Sequence, residues 1–192
     1  MRYSTPVILF KYLQYYFVAA NSKGHGIHSP FVFKLIQEQL NATSSMEEML
    51  SKSPELKKIL QQIEFATPYP LPLKIKILIV RLLQKFNPSI LSVSGRTKHL
   101  EEHIKNESVD MAFIGGGISK AAILDNATIL LDKMHVHSWM ILHGIHADSN
   151  MEAAWNTVKK HANVRLTIDL FNIGILFCRK EQKEQEHFII RY

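Results

Sequence analysis

Two stretches, VDMAFIGG (residues 109–116) and SWMILHGI (138–145), are apolar almost without interruption and short enough to be strands rather than helices. A strand apolar on both sides has to sit inside a sheet whose two faces are covered, which confines this part of the chain to a layered α/β architecture. The segments around them fit that plan. SILSVSG reads as a short strand ending at Gly95, and TKHLEEHIKN as a helix with Leu100 and Ile104 on one face. SKAAILDNATILLDKM places apolar residues at 122, 123, 127, 130 and 131, a helical spacing, and SNMEAAWNTVKKH reads as a further helix capped by Ser149. VRLTIDLF and IGILFCRK read as strands joined across NIG, and EHFIIRY as a last edge strand. The expected result is a mostly parallel sheet with an antiparallel C-terminal hairpin.

The N-terminal third carries helix punctuation instead. Pro6 suits a first helical turn running on to about Ala20, and the glycines, Asn, Ser and Pro of NSKGHGIHSP break the period. Ser29–Pro30, Ser44 or Ser45 ahead of Glu47 and Glu48, and Ser53–Pro54 each mark a helix start. The prolines of ATPYPLPL exclude a regular element, so the chain divides into a helical lobe over 1–66 and a sheet domain over 67–192. LKIKILIVRLLQKF, stopped by Asn87–Pro88, predicts a helix leading into the sheet.

Composition narrows the partners. A net charge of +6 comes from cations scattered among acids, with no basic run, so nothing points to nucleic acid. VILFKYLQYYFVAA (7–20), interrupted by Lys11 and Gln14, is too short to span a bilayer, which takes about 20 apolar residues. It predicts a packing helix whose Phe10, Leu13 and Phe17 face lies against the domain or a partner chain. A single cysteine, Cys178, within the apolar run IGILFC, suits a buried thiol and a cytoplasmic setting.

In an α/β sheet of this kind ligands bind beyond the carboxyl ends of the strands. Those ends are Ser94–Gly95, Gly115–Gly116–Gly117 and His143 to Asp148. The triple glycine does not fit the dinucleotide pattern, which needs a glycine where Lys120 stands, nor the phosphate loop, because Lys120 follows Ser119. Free backbone N–H groups near a helix start still offer an anion site. Among ten histidines, His135 and His137 fall at the opposite end of a strand from His143, about 20 Å away at roughly 3.3 Å per residue. His143 and His146, with Asp148, are left as a candidate metal set. His99 and His103 share a helical face with no further support. Asp110, Asp125 and Asp132 fall where solvated edges are expected.

GHGIHSPFVFKLI (24–36) resembles an N-terminal signature of a bacterial group of class I S-adenosylmethionine-dependent methyltransferase-like proteins, common in Bacteroidetes, and the stretch from Met151 to Tyr192 is similar to that group's ending. Together the two cover between a quarter and a third of the chain. The resemblance implies a Rossmann-like sheet with S-adenosylmethionine as cofactor. It also implies carboxylates that this chain lacks. The family's E-x-G-x-x-x-G loop and its ribose-binding strand are missing, or SILSVSG is a remnant of the first strand with Ser92 and Ser94 where an acid belongs. The family's F-I-D-G-N-H and D-D-I-H-W-S strand ends read here as Phe113 to Ile118 and His143 to Asp148, so that Gly115, His143 and Gly144 stand in place of three carboxylates.

The expectation is a truncated, degenerate methyltransferase-like protein without catalysis or cofactor, working through a protein contact or as a homodimer. Two alternatives remain at this point. One is an active S-adenosylmethionine-dependent enzyme acting on a small-molecule hydroxyl. Its cofactor would be lined by Ser94, Gly95, Gly115, Gly116 and Gly117, with Asp148 or His146 as base. The other is a metal- or anion-binding module.

Overall fold

A computed structural model describes residues 2–20, 27–43, 45–95 and 108–192. The expected helix at TKHLEEHIKN, with His99 and His103, lies outside them, as do Ser44 and the first residues of the GHGIHSPFVFKLI stretch.

Among the described residues the protein is α/β, with seven α-helices and a mixed six-stranded sheet. The helices are α1 (Thr5–Val18), α2 (Pro30–Leu35), α3 (Met46–Lys52), α4 (Pro54–Ala66), α5 (Leu73–Phe86), α6 (Lys120–Asp132) and α7 (Ser149–Val158). The strands are β1 (Leu91–Ser94), β2 (Val109–Ile114), β3 (Met134–His143), β4 (Leu166–Asp169), β5 (Ile173–Phe177) and β6 (Glu186–Ile189), in the order β1-β2-β3-β5-β4-β6. Neighbours pair in parallel except around β5, which runs antiparallel to both β3 and β4. Five strands therefore share one direction and their carboxyl ends meet along one edge of the sheet.

Side-chain alternation sorts the core into two layers. Met111, Phe113, Trp139 and Ile141 point to one face, where Val32, Leu35, Ile63, Ile75, Leu78 and Leu82 of α2, α4 and α5 cover them. Ala112, Ile114, Met140 and Leu142 point to the other, under Ile123, Ala127 and Leu130 of α6 and Ala154 and Trp155 of α7. Helices from both sides of residue 66 thus share one core on the first face. Burial of this kind contributes about 25 cal/mol per Å² of apolar surface.

Most punctuation acts as its chemistry requires. Ser45 and Ser53 accept the amides of Glu48 and Leu56 at the starts of α3 and α4. Asn87 adopts a left-handed conformation (φ 43°) that closes α5 before Pro88. Four details differ from expectation. The helix begun at Pro30 passes after Leu35 into a π-turn, Ile36–Leu40, in which Asn41 N–H bonds the Ile36 carbonyl and both Leu35 and Leu40 reach the core. Asp148, not Ser149, caps α7, because its extended backbone (φ −154°) brings its carboxylate to the Met151 amide at 2.9 Å. The β4–β5 turn falls at Leu170 to Asn172, with Phe171 at φ 65°, and Gly174 is a strand residue over which the Trp155 ring lies so closely that a Cβ would meet it at 2.6 Å. Asp110 is no solvated edge. It accepts the amides of Ser89 and Ile90 and faces His135 Nε2 at 2.8 Å, which ties β1 to the start of β3. Partial burial opposes its charge, but the bonds from His135 and the two amides prevail and hold the carboxyl below its ordinary range.

Candidate functional site at the carboxyl ends of the strands

The ends of β1 and β2 are covered by the chain itself. The turn after α4 brings the Ala66 carbonyl oxygen over both strands, and a Cβ built on Gly95 or Gly115 would lie 2.2 or 2.1 Å from it. No real contact is that short, so both positions must be glycine for α4 to end here. Gly117 takes a left-handed conformation (φ 85°) with Pro68 pressed against it, where a Cβ would come within 2.8 Å of the proline Cβ. Gly116 faces the flexible side chain of Met151. Ser94 is buried and its hydroxyl accepts from Asn126 Nδ2 at 2.8 Å, while its carbonyl takes the Gly115 amide at 2.7 Å. The five residues expected to line a cofactor are thus brought together, but what they receive is residues 66–68, Asn126 and Met151.

Such a pocket would have to accept a sulfonium nucleoside, whose ribose needs acceptors and whose adenine needs a slot beside the backbone. Among the described residues, the ends of β1 and β2 offer neither. Gly115, His143 and Gly144 supply no carboxylate, the Ser94 hydroxyl is engaged, and the Ala66 carbonyl occupies the approach over Gly95 and Gly115. The described residues over Gly95 and Gly115 leave no open slot for a methyl donor.

His143, His146 and Asp148 go to separate tasks. His143, at the end of β3, is 4% exposed, stacks on Phe113 at 6.5 Å between ring centres, and leaves Nδ1 without a partner. Burial pushes its pKa down to about 4, so it stays neutral near physiological pH. Asp148 is buried as the α7 cap. His146 places Nε2 2.8 Å from Asp169 Oδ2 and Nδ1 3.7 Å from Glu152 Oε1, with its ring stacked on Phe171 at 5.2 Å. Both of its nitrogens face carboxylates that are themselves engaged. No group of three His, Cys, Asp or Glu side chains among the described residues is arranged to hold a metal ion.

The densest polar cluster at this edge surrounds His146 and was not evident from the sequence. Glu152 accepts the Tyr3 hydroxyl at 2.8 Å and lies 2.8 Å from Lys11 Nζ with both oxygens. Burial opposes its charge, and the bonds from Lys11 and Tyr3 prevail, lowering the carboxyl from its ordinary value. Burial first, and then Glu152, raise the Tyr3 hydroxyl to about 12. Asp169 Oδ1 accepts the Phe171 amide at 2.9 Å, and Phe171 meets the rings of Tyr12 and Tyr15 at 5.0 and 5.2 Å. Tyr15 donates to the Ile190 carbonyl, and burial pushes its hydroxyl well above the ordinary phenol range. The contacts of Tyr3, Lys11, Tyr12 and Tyr15 join α1 and the residues before it to α7, to the β4–β5 turn and to the end of β6. The cluster is a fastening for α1. The available signal was Asp169 itself, an acid ending the buried strand LTID.

Away from this edge, Glu38, Gln39, Ala42, Arg81, Gln84 and Lys85 line an open groove of about 290 Å³, in which Arg81 bonds the Gln39 carbonyl and Lys85 pairs with Glu38. No helix among the described residues is long and apolar enough to cross a membrane. No protein-family profile, curated protein or solved structure matches the chain.

Proposed function

We propose that the chain is a degenerate, Rossmann-like methyltransferase scaffold that has lost catalysis and acts through a protein contact. The observation that carries this reading is the Ala66 carbonyl seated on Gly95 and Gly115, in the place where a methyltransferase would hold its donor. Ligand binding there requires α4 to withdraw from two strands at once, and the apolar core that α4 shares with the sheet opposes that. The sheet supports the same reading. Its mostly parallel α/β order is compatible with the Rossmann-like sheet that the family resemblance implies, and among the described residues it ends at β1 with no strand beyond. Glycine and histidine at 115, 143 and 144 remove the side chains that would grip a cation or take a proton.

Isothermal titration of the full chain with S-adenosylmethionine and S-adenosylhomocysteine tests it. The expected outcome is no saturable heat with either. Micromolar binding of either compound refutes the scaffold reading.

A further inference from the structure

The outward face of α1 is apolar except for the exposed Gln14, which lies between Phe10 and Phe17. Leu9, Phe10, Leu13, Tyr16 and Phe17 fall on one side of the helix at i, i+3, i+4 and i+7 spacings, and are 58%, 61%, 46%, 45% and 79% exposed. The inward side is the narrower one: Tyr15, with Ile8 against it, packs on Phe171. Among the described residues, nothing covers the Phe10, Leu13 and Phe17 stripe. Monomeric proteins rarely leave so continuous a patch to water.

We infer that this stripe is the contact between two copies of the chain, packed helix against helix about a two-fold axis near Leu13. The inference rests on the scaffold reading and names its partner. Three features select a second copy. First, the stripe carries no charge. The only charged residue of α1, Lys11, is turned inward onto Glu152 at 2.8 Å. Two molecules each of net charge +6 repel, so a self-contact forms where charge is absent. An anionic membrane or an acidic protein would instead require a row of cations along the stripe; α1 itself presents none outward, and among the described residues the cation seen beside it is Arg191, over the Tyr16 ring at 4.2 Å. Secondly, the area is that of a weak, reversible contact. With aromatic side chains near 200 Å² each, the five residues expose roughly 550 Å², close to the ~600 Å² per partner at the lower end of stable interfaces. Thirdly, the stripe is self-complementary. Phe10 and Phe17 lie three and four residues from Leu13, so an antiparallel crossing at Leu13 sets the Phe10 ring of each copy beside the Phe17 ring of the other, the isologous arrangement of a two-fold dimer.

Sedimentation equilibrium of the full chain tests this. The expected result is a reversible dimer at concentrations up to about 100 µM, weakened about 100-fold or more by the double substitution Phe10→Glu with Phe17→Glu, at unchanged far-ultraviolet circular dichroism. A chain that stays monomeric throughout, or a dimer that the substitutions leave intact, overturns the inference. So does a monomer that floats with phosphatidylcholine–phosphatidylserine vesicles. A second arm avoids any folding defect of the charged variant. Cys178 is buried and its thiol is pushed up to about 11 by burial, so an introduced cysteine reacts alone. Mild oxidation should link Leu13→Cys into a covalent dimer and leave Ser51→Cys, on exposed α3, unlinked. Linkage of both or of neither overturns the inference. Monomeric behaviour leaves the scaffold reading standing, and methyl-donor binding leaves the dimer standing, so the two fail separately.

Discussion

Gly115 lies directly beneath the carbonyl oxygen of Ala66, with no room for a side chain: a β-carbon on the glycine would sit 2.1 Å from that oxygen. The obstacle is backbone, at the end of a helix buried in the core, so it cannot turn aside. Gly115→Ala should therefore cost about 3 kcal/mol or more through overpacking, and lower Tm by roughly 6–12 °C for a chain of this size. Gly116→Ala comes tightest against the Met151 side chain, at 3.2 Å, with the His143 carbonyl at an ordinary 3.7 Å, and should cost under about 1 kcal/mol because a methionine adapts. Thermal denaturation of the two variants side by side checks this. Equal stability of both would mean that α4 does not rest on β2.

His143 gives the molecule a pH dependence of known sign. The folded state keeps it neutral down to about pH 4, and the unfolded chain takes up its proton near 6.5. Between those values the unfolded state binds more protons, so stability falls as pH is lowered from about 6.5 to about 4, by at most ~3 kcal/mol, and is unaffected above that window. Urea denaturation at pH 7.5 and pH 4.5 should show a larger loss for the wild type than for His143→Gln. Identical losses would place the imidazole in water.

Asp148 was a candidate base by sequence and is a helix cap in the structure. Asp148→Ala removes the acceptor for the Met151 amide and should cost about 1–2 kcal/mol, whereas Asp148→Asn, itself a good cap, should restore most of it. The midpoint of urea unfolding, at constant slope, measures both. A variant as stable as the wild type would show that the cap contributes nothing and reopen a chemical role for this carboxylate.

These cases mark how far the sequence could be read. The buried strands at 109–116 and 138–145 were legible because an apolar run of that length has few alternatives, and α6 because Ile123, Ala127, Leu130 and Leu131 keep a strict helical spacing. Serine–proline pairs located the starts of α2 and α4 for local reasons. The cap of α7 was misassigned because Ser149 and Glu152 imitate a capping box, while Glu152 in fact turns to Lys11 and Tyr3, about 140 residues earlier. The role of the three glycines was hidden for the same reason. Their partners, Ala66 for Gly115, Met151 for Gly116 and Pro68 for Gly117, carry no chemistry that marks them in the sequence, and only the fold brings them together. Pairings across such distances leave no periodic trace in the chain.

Glu152 joins the last of these relationships to the behaviour of α1. Its carboxylate is the one anchor that holds both Lys11 and the Tyr3 hydroxyl, and α1 otherwise rests on a small cluster around Tyr15 and Phe171. Few apolar contacts and a concentrated polar fastening make a segment that opens locally before the core does. Removing the acceptor in Glu152→Ala takes the hydrogen-bond partner from both the Lys11 ammonium and the Tyr3 hydroxyl, leaving Lys11 only the Tyr3 ring, and should weaken docking by about 1.5–3 kcal/mol, the range for hydrogen bonds to charged groups. Amide hydrogen exchange should then speed up roughly 10- to 100-fold over residues 12–18, while β2 and β3 keep their wild-type protection. Should those α1 amides exchange at the wild-type rate, the helix is held by its aromatic contacts alone, and the Tyr3–Glu152–Lys11 cluster is an incidental surface arrangement.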